Sequence, residues 1–375
     1  MYINLKKILS ILMFGLIVSN PDCVDNRYID YLYDVGIDYG IQYGQNINEN
    51  IFGQQFNQNL FMDIYYPNDD NFNEKPLIFF LFGGSFVSGS RASSDIVALC
   101  NKYASMGYVA VAIDYRLSEF LLFTNPSEEN GYKAVIKAIH DLKAAIRYFK
   151  KNDQIYDDYG IDSNRVFAGG YSAGAFASIN AAYLNDYYEL PQFILDDYEQ
   201  IGGLEGLSGN QGYNSSFHGV INLSGAVGNS NWIVEGDIPI VSMHGDLDDV
   251  VPYANNLITL FGLNIQVDGS YIIHQRMLNL GNYSQLHTYQ NQGHNPYTNM
   301  DYEATFSSNF IYDIICSDSI VGDINSDSSV NIQDVILLVN LILNGEFNLI
   351  ADINSDSSVN IQDVILLVNL ILNNY

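Results

Sequence analysis

The stretch Val166-Phe167-Ala168-Gly169-Gly170-Tyr171-Ser172-Ala173-Gly174 decides the fold. Its first residues are apolar and favour a buried strand, whereas the Ala-rich run at 173–185 favours a helix. Glycines at 170 and 174 permit a tight turn between the two, with the serine at its exposed tip. The sequence G-x-S-x-G is common by chance, but its place between a strand and a helix makes an ordinary turn the less favoured interpretation.

Apolar β-rich segments and helical candidates alternate on both sides of this turn. The strand candidates are 77–82, 108–113, 165–168, 219–223, 238–243 and 285–289, and the helical candidates are 94–106, 132–152 and 173–185. This alternation predicts the α/β class, with a mostly parallel sheet flanked by helices. The acidic, Gly/Asn-rich stretch 186–217 fits the pattern poorly and is predicted to be an insertion, either a substrate-gating lid or a plain surface loop.

A serine at such a turn becomes a nucleophile only with a base, and the base needs an orienting carboxylate. Asp248 and His294 each follow a predicted strand, and the order Ser172, Asp248, His294 is that of α/β-hydrolases. We therefore predict these three as the catalytic residues, with Asp249 as the fallback acid. The remaining histidines are predicted to be structural: His140, His218, His244, His274 and His287.

From about residue 59 to residue 316 the chain resembles an α/β-hydrolase of the carboxylesterase and feruloyl-esterase-like group. The resemblance is carried by the serine turn and by LFMDIYYP at 60–67, FGGSF at 82–86, DYRL at 114–117, HGDLDDVVP at 244–252 and GH at 293–294. It implies an oxyanion hole formed by the backbone N–H groups of Gly84, Ser85 and Ala173. Phe82 and Ser85 depart from the H-G-G-G-F loop of the family, but backbone donation does not require a glycine side chain. The catalysis implied needs no cofactor.

The formal charge of the chain is −28, from 15 basic and 43 acidic residues. This charge repels phosphate backbones and anionic lipid surfaces, so nucleic acid is not an expected partner and cations are the more natural ligands. With 375 residues, 48% of them hydrophobic, the chain can bury one large core and still form a second, small domain.

The N-terminus has the pattern of a secretory signal peptide, which we predict at residues 1–19. Lys6 and Lys7 precede an apolar run at 8–18, and Pro21 follows it. The run is shorter than the roughly 20 residues that a transmembrane helix needs. We therefore expect a secreted or surface-associated protein without a membrane segment after signal removal.

The C-terminus contains a perfect internal repeat, in which residues 323–344 recur as 352–373 at a period of 29 residues. Each copy places Asp or Asn at positions 1, 3, 5, 9 and 12 of a twelve-residue loop, with a carbonyl available at position 7. Such oxygen ligands suit Ca²⁺, and we predict two sites. Their ligands are Asp323, Asn325, Asp327, Ser329, Asn331 and Asp334, and Asp352, Asn354, Asp356, Ser358, Asn360 and Asp363. A polar turn before an ordinary helix is the alternative.

Aspartate at position 12 and the apolar run after it make these repeats resemble a dockerin, the module that attaches secreted enzymes to cohesin receptors. The resemblance covers residues 322–373 and implies a cohesin-like receptor as partner. Position 6 is serine in both loops where glycine is expected, which would weaken the affinity for calcium. Each following helix is apolar nearly all round, so the repeats must pack on each other or on a partner.

The expected domains are a hydrolase domain at 24–316, a linker at 317–321 and a dockerin-like domain at 322–375. The three cysteines permit one disulfide, and Cys23 with Cys316 is one possible pair. The predicted function is a secreted serine ester hydrolase of the EC 3.1.1 class, tethered by its calcium-dependent module. Acetyl or feruloyl esters of polysaccharides are the substrates that the resemblance implies. A serine peptidase with the same triad and a noncatalytic adhesion protein are the alternatives.

Overall fold

The computed structural model describes residue 23 and residues 26–118, 126–155, 158–259, 262, 264–316, 322–325, 330–344, 348, 350–354 and 358–373. The predicted signal peptide (1–19), the predicted linker (317–321) and three predicted metal ligands, Asp327, Ser329 and Asp356, lie outside these residues. The chain divides into two compact units. One is Arg27–Ile311, and the other comprises the described residues of Met1–Asn26 and Tyr312–Tyr375.

The strands of the larger unit are β1 (Val35–Glu49), β2 (Gln55–Pro67), β3 (Lys75–Leu81), β4 (Val109–Ile113), β5 (Ile161–Tyr171), β6 (Val220–Leu223), β7 (Ala226–Val227), β8 (Ile240–Gly245), β9 (Asn255–Ile258), β10 (Ile265–Gly269) and β11 (Ser284–Tyr289). The helices up to residue 315 are α1 (Ser94–Ser105), α2 (Glu128–Ile155), α3 (Ala173–Tyr183), α4 (Gln192–Leu195), α5 (Tyr198–Ile201), α6 (Ser270–Asn279) and α7 (Asp301–Ile315). Short 3₁₀ helices lie at Tyr187–Glu189 and Ser230–Trp232.

Within the described residues, eight strands form one sheet in the order β1-β2-β4-β3-β5-β6-β8-β11. The pairs from β4 through β3 and β5 to β11 are parallel, whereas β1 with β2 and β2 with β4 are antiparallel. Strands β7, β10 and β9 form a separate antiparallel sheet. The predicted α/β fold with a mostly parallel sheet is therefore confirmed.

The central strands are buried along their whole length. Every residue of β3, β4 and β6 is buried, and these strands consist mainly of Val, Ile, Leu, Ala and Phe. A parallel sheet covered by helices on both faces requires such continuous apolar strands rather than alternating ones. This burial explains why the apolar runs at 77–82 and 108–113 predict strands correctly.

The stretch 186–217, predicted as an insertion, is held against α2 by polar contacts. Glu205 pairs with Lys143 at 2.8 Å and with Arg147 at 3.0 Å. Ser208 Oγ donates to the fully buried Asp141 at 2.6 Å. These contacts fix the C-terminal part of the stretch to the larger unit.

The smaller unit contains α8 (Ile332–Asn344) and α9 (Ile361–Asn373), which carry the same sequence. Leu338, Ala351 and Leu367 form its buried core, so the two repeats pack on each other. A disulfide joins Cys23 and Cys316 across a Cα–Cα distance of 5.7 Å. None of the described helices combines the length and apolar character that crossing a bilayer requires.

Candidate active site

The turn between β5 and α3 holds Ser172 in a backbone conformation that residues with side chains rarely adopt, at φ 53° and ψ −117°. Its N–H donates to Leu223 O at 2.8 Å, which ties the turn to β6. A Cβ atom at Gly170 or Gly174 would lie 2.3 Å or 2.1 Å from Leu81 O. Both glycines are therefore required by the close approach of β3, and the turn projects Ser172 beyond the end of the strand.

The structure brings the three predicted triad residues together, although 122 residues separate the serine from the histidine. His294 Nε2 lies 2.8 Å from Ser172 Oγ, and His294 Nδ1 lies 2.7 Å from Asp248 Oδ2. The backbone of His294 is also held, since Ser224 Oγ donates to its carbonyl oxygen at 3.1 Å. The imidazole thus bridges the hydroxyl and the carboxylate in the geometry of a general base and its orienting acid.

Asp248 is fixed by hydrogen bonds to both carboxylate oxygens. Oδ1 accepts from the backbone N–H groups of Val250 at 2.8 Å and Val251 at 2.9 Å. Oδ2 accepts from His294 and from a second histidine, His244, whose Nε2 lies 2.9 Å away. Burial by itself raises the pKa of Asp248, but the hydrogen bonds from His244 and His294 outweigh it and hold that pKa well below its usual value. The side chain therefore stays ionised at neutral pH.

The fallback acid is not part of this arrangement. Asp249 is exposed, whereas the Asp248 side chain is 0% exposed. His244, predicted as a structural histidine near the site, contacts the acid directly. The H-x-x-x-D spacing alone does not signal that contact, because it depends on how the loop after β8 folds back.

The loop at 82–86 passes close to the nucleophile. A Cβ atom at Gly83 would lie 3.2 Å from Ser172 Cβ, and Ser85 adopts φ 55°. Phe82, which replaces the histidine of the family loop, is buried and stacks on Tyr115 with ring centroids 4.2 Å apart. Ser85 thus adopts the left-handed backbone conformation that glycine favours, although it carries a side chain.

The predicted oxyanion donors are placed unequally around the serine. Ser85 and Ala173 line the same cavity as Ser172, whereas Gly84 is not among its lining residues. Ala173 is the first residue of α3, and its N–H is therefore among the amides without an intrahelical acceptor. The carbonyl oxygen of Gly84 accepts hydrogen bonds from the N–H groups of Val87 and Ser88 at 3.0 Å and 3.1 Å, which hold the loop in place. Ser85 and Ala173 are consequently the better-placed pair.

A cavity of about 90 Å³ opens beside Ser172 and is lined almost entirely by apolar side chains. Aromatic and aliphatic residues from α2, α3, the loop at 82–86 and the segments around β7 and β10 form its walls, and no described lining residue is charged. The bulky members are Phe86, Tyr132, Phe176, Leu184, Trp232, Val251, Ile258 and Ile265. The ring of Phe193, from the 186–217 stretch, packs edge-on against Tyr132 at 5.8 Å between centroids.

The repeat loops of the smaller unit keep carboxylates out of water. Asp334 and Asp363 are fully buried, and Asp323 and Asp352 are 6% and 5% exposed. Asp334 Oδ1 accepts from the N–H groups of Ile324 and Asn325, so the start of the loop is tied to the first turn of α8, and Asp363 Oδ1 accepts from Ile353 and Asn354 in the same way. No basic residue follows residue 322 in the sequence. Four buried carboxylates in two short loops provide the oxygen donors that a hard cation prefers.

Part of each predicted ligand set lies outside the described residues, namely Asp327, Ser329 and Asp356. Among the residues that are described, no group of three or more His, Cys, Asp or Glu side chains forms a metal-binding cluster. The other described ligands belong to the same two twelve-residue loops as the buried aspartates: Asn325, Asn331, Asn354, Ser358 and Asn360.

The serine–histidine–aspartate arrangement at a sharp turn of a mostly parallel sheet defines the class of the larger unit, an α/β-hydrolase. Residues 62–227 match the BD-FAE family, and residues 321–372 match the Dockerin type I domain. The chain carries a BD-FAE esterase domain together with a dockerin type I domain. Both resemblances predicted from the sequence are confirmed.

The individual relatives are esterases with low sequence identity to this chain. Gut esterase 1 of Caenorhabditis elegans is 29% identical over 113 residues, which cover 30% of this chain and 19% of that protein. Esterase LipC of Mycobacterium tuberculosis is 28% identical over 149 residues, which cover 39% of this chain and 33% of that protein. The chain therefore matches a third or less of the length of these curated relatives. Esterase 2 of Thermogutta terrifontis, solved phosphorylated by paraoxon, shares the fold with a TM-score of 0.51 at 20% identity, over 72% of this chain and 94% of that chain.

Proposed function

We propose that the chain is a serine carboxylic-ester hydrolase of the EC 3.1.1 class. The observation that carries the proposal is the continuous hydrogen-bonded series from Ser172 Oγ through His294 to Asp248, with distances of 2.8 Å and 2.7 Å. The turn that presents Ser172 and the apolar cavity beside it supply the nucleophile and a place for substrate. The BD-FAE match supports an ester as the bond that is cleaved.

In the proposed reaction Ser172 Oγ attacks the ester carbonyl while His294 Nε2 takes the hydroxyl proton. Asp248 holds the ring and stabilises its charged form. The N–H groups of Ser85 and Ala173, with Gly84 in the same loop, hold the developing oxyanion. His294 then returns the proton to the leaving alcohol. A water molecule attacks the acyl-enzyme while His294 takes one of its protons, and return of that proton to Ser172 Oγ breaks the acyl–serine bond and releases the carboxylic acid.

The shape and chemistry of the cavity favour an uncharged, apolar group larger than acetyl next to the ester carbonyl. A methyl group would leave most of the 90 Å³ cavity unfilled, whereas an aromatic or medium-length aliphatic group would contact Phe86, Phe176 and Trp232. Burying apolar area contributes about 25 cal/mol per Å². Feruloyl esters, attached to polysaccharides or to small alcohols, therefore fit better than acetyl esters.

A panel of acetyl, butyryl, octanoyl and feruloyl esters of one alcohol tests this preference. We expect kcat/KM to rise by at least about tenfold from acetyl to feruloyl or octanoyl, since each buried methylene contributes about 0.8 kcal/mol. Trp232→Ala should reduce that ratio. Highest activity on the acetyl ester would contradict the assignment of the cavity to the acyl group.

Two alternatives remain testable on the same protein. A serine peptidase would cleave anilide or peptide substrates at rates comparable with matched esters, and a noncatalytic adhesion protein would not react with a fluorophosphonate. We expect ester hydrolysis to exceed amide hydrolysis by a wide margin and the fluorophosphonate to label the protein. The mostly parallel α/β-hydrolase sheet does not by itself decide between these functions.

We further propose that the dockerin domain binds two Ca²⁺ ions and attaches the enzyme to a cohesin-like receptor outside the cell. The buried Asp323, Asp334, Asp352 and Asp363 support a cation, and the apolar face left exposed on α8 and α9 supports a protein partner. Export would follow from the signal peptide at 1–19. In this proposal the hydrolase domain is 24–316, with 186–217 as a lid over the cavity, and 317–321 is the linker to 322–375.

A further inference from the structure

A second histidine shares one oxygen of the proposed catalytic carboxylate. His244 Nε2 lies 2.9 Å from Asp248 Oδ2, the same atom that lies 2.7 Å from His294 Nδ1. The His244 side chain is 0% exposed and does not line the cavity beside Ser172. Its position therefore excludes direct contact with substrate. His244 can still affect the reaction through its contact with Asp248.

The hydrogen-bond partners of His244 assign its tautomer. Its Nε2 faces two atoms that only accept, Asp248 Oδ2 and Val251 O at 3.0 Å, so Nε2 must carry the hydrogen. Its Nδ1 then accepts from Ser270 Oγ at 2.7 Å. Asn222 Nδ2 donates to the same hydroxyl oxygen at 2.8 Å, and of the two acceptors for the Ser270 hydrogen, His244 Nδ1 at 2.7 Å is nearer than Gly225 O at 3.5 Å. The contacts of the ring thus place a hydrogen on Nε2, the nitrogen that faces Asp248.

The carboxylate of Asp248 receives four donors in all. The amides of Val250 and Val251 occupy Oδ1, and the two imidazoles divide the lone pairs of Oδ2. A carboxylate has about four such acceptor sites, so each of them is used and the group cannot rotate without losing a hydrogen bond.

We propose that His244 is a positioning residue for the ester hydrolysis proposed above, orienting Asp248 toward His294 and limiting how strongly Oδ2 binds the His294 ring. The inference rests on that proposed function. The groups that face His244 are Asp248, the hydroxyl of Ser270, the carbonyl of Val251 and the ring of Tyr253 at 5.6 Å between centroids. Because the carboxylate is the one ionised group among them, losing the His244 donor acts on Asp248 first.

Removing that donor has two separate consequences. Oδ2 would bind His294 alone, and the stronger bond would favour the protonated form of the His294 ring, which cannot act as a base. The acid limb of the pH profile, where kcat/KM falls as pH decreases, should therefore move to higher pH. The carboxylate would also gain rotational freedom, which lowers kcat because the His294 ring is less well oriented.

His244→Met and His244→Gln form the matched pair that tests the proposal. Both replacements are uncharged and of similar length, but the glutamine amide can donate to Oδ2 from near the position of Nε2, whereas methionine cannot. We expect His244→Met to lower kcat by about 10- to 100-fold, the range seen when a metal-ligating side chain loses the hydrogen-bond partner that orients it, and to shift the acid limb of the kcat/KM profile to higher pH. His244→Gln should keep most of the wild-type kcat, and the acid limb of its kcat/KM profile should stay at the wild-type pH.

His140→Met controls for the loss of a buried ring elsewhere, because His140 is also buried and bonds Gly203 O rather than Asp248. His140→Met should leave the acid limb of the kcat/KM profile at the wild-type pH. Proton NMR of the His294 Nδ1–H resonance provides a readout that does not require turnover, and it should move in His244→Met alone. If His244→Met does not fold, Ser270→Ala, which removes the partner of Nδ1, should shift the limb in the same direction by a smaller amount.

The outcomes separate this inference from the proposed function. A folded wild-type protein that hydrolyses no ester in the panel would overturn the proposed function. Wild-type hydrolysis, together with a folded His244→Met variant that keeps the wild-type kcat, pH profile and Nδ1–H resonance, would overturn the positioning role alone. Equal loss of activity in the Met and Gln variants without a pH shift would also overturn it, because packing rather than hydrogen bonding would then explain the effect.

Discussion

Ser172, His294 and Asp248 act as one unit in the proposed chemistry, so removing any of them should remove most of the rate. Ser172→Ala and His294→Ala should each lower kcat on an activated ester by about 10⁴-fold or more, and Asp248→Asn by about 10³- to 10⁴-fold. Combining two of the substitutions should add little. Thermal melting should confirm that the variants remain folded. Near-normal turnover by His294→Ala would remove the histidine from its assigned role.

Two buried histidines outside the site should make the larger unit less stable at mildly acidic pH. Burial lowers the pKa of His140 to about 4 and that of His218 to about 3. Between these values and about 6.5, the unfolded chain binds a proton at each ring that the folded chain does not, so the free energy of unfolding falls as pH decreases. The slope should approach about 1.4 kcal/mol per pH unit for each ring.

Urea unfolding of the protein at several pH values between 7 and 4.5 measures this dependence. Replacing His218 with Gln should reduce the slope, because glutamine takes up no proton in either state. A free energy of unfolding that does not change across this range would contradict the burial of neutral imidazoles.

Elements whose pattern is local could be predicted from the sequence, and those that depend on distant contacts could not. The turn around Ser172 and the apolar strands needed only neighbouring residues. The β1–β2 hairpin was not predicted from the sequence, because its packing depends on a distant residue. A Cβ atom at Gly44 would lie 2.1 Å from the carbonyl oxygen of Ser208. The role of His244 was missed for the same reason, since it requires Asp248 and Ser270 to meet on opposite sides of one ring.

The two loop–helix elements of the dockerin domain should depend on calcium. Neutralising the buried carboxylates favours the folded state, and at a Ca²⁺ concentration of 100 times Kd one site adds about 2.7 kcal/mol. Calorimetry should show a transition of the tail that moves to higher temperature with calcium and disappears in EDTA. Asp334→Asn combined with Asp363→Asn should abolish the shift. A tail whose melting ignores calcium would contradict the predicted sites.

At the scale of the whole molecule, the two proposed activities use separate residues. The triad lies within the unit Arg27–Ile311, whereas every predicted metal ligand follows Gly322. A protein truncated after Cys316 retains both disulfide cysteines and should hydrolyse small esters at close to the full-length rate. EDTA should abolish receptor binding by the intact protein without slowing ester hydrolysis. Loss of most small-ester activity on truncation would contradict this independence.

Covalent labelling of the full-length protein tests the assignment of Ser172 most directly. Paraoxon transfers a diethylphosphoryl group to an activated serine with release of 4-nitrophenolate, and esterase 2 of Thermogutta terrifontis has been solved phosphorylated by paraoxon. Incubation followed by peptide mass spectrometry should locate one adduct, on Ser172, in step with the loss of ester hydrolysis. Ser172→Ala should acquire no adduct and His294→Ala should react far more slowly. An unlabelled Ser172 in a protein that still hydrolyses esters, or inactivation by an adduct elsewhere, would contradict the proposed mechanism.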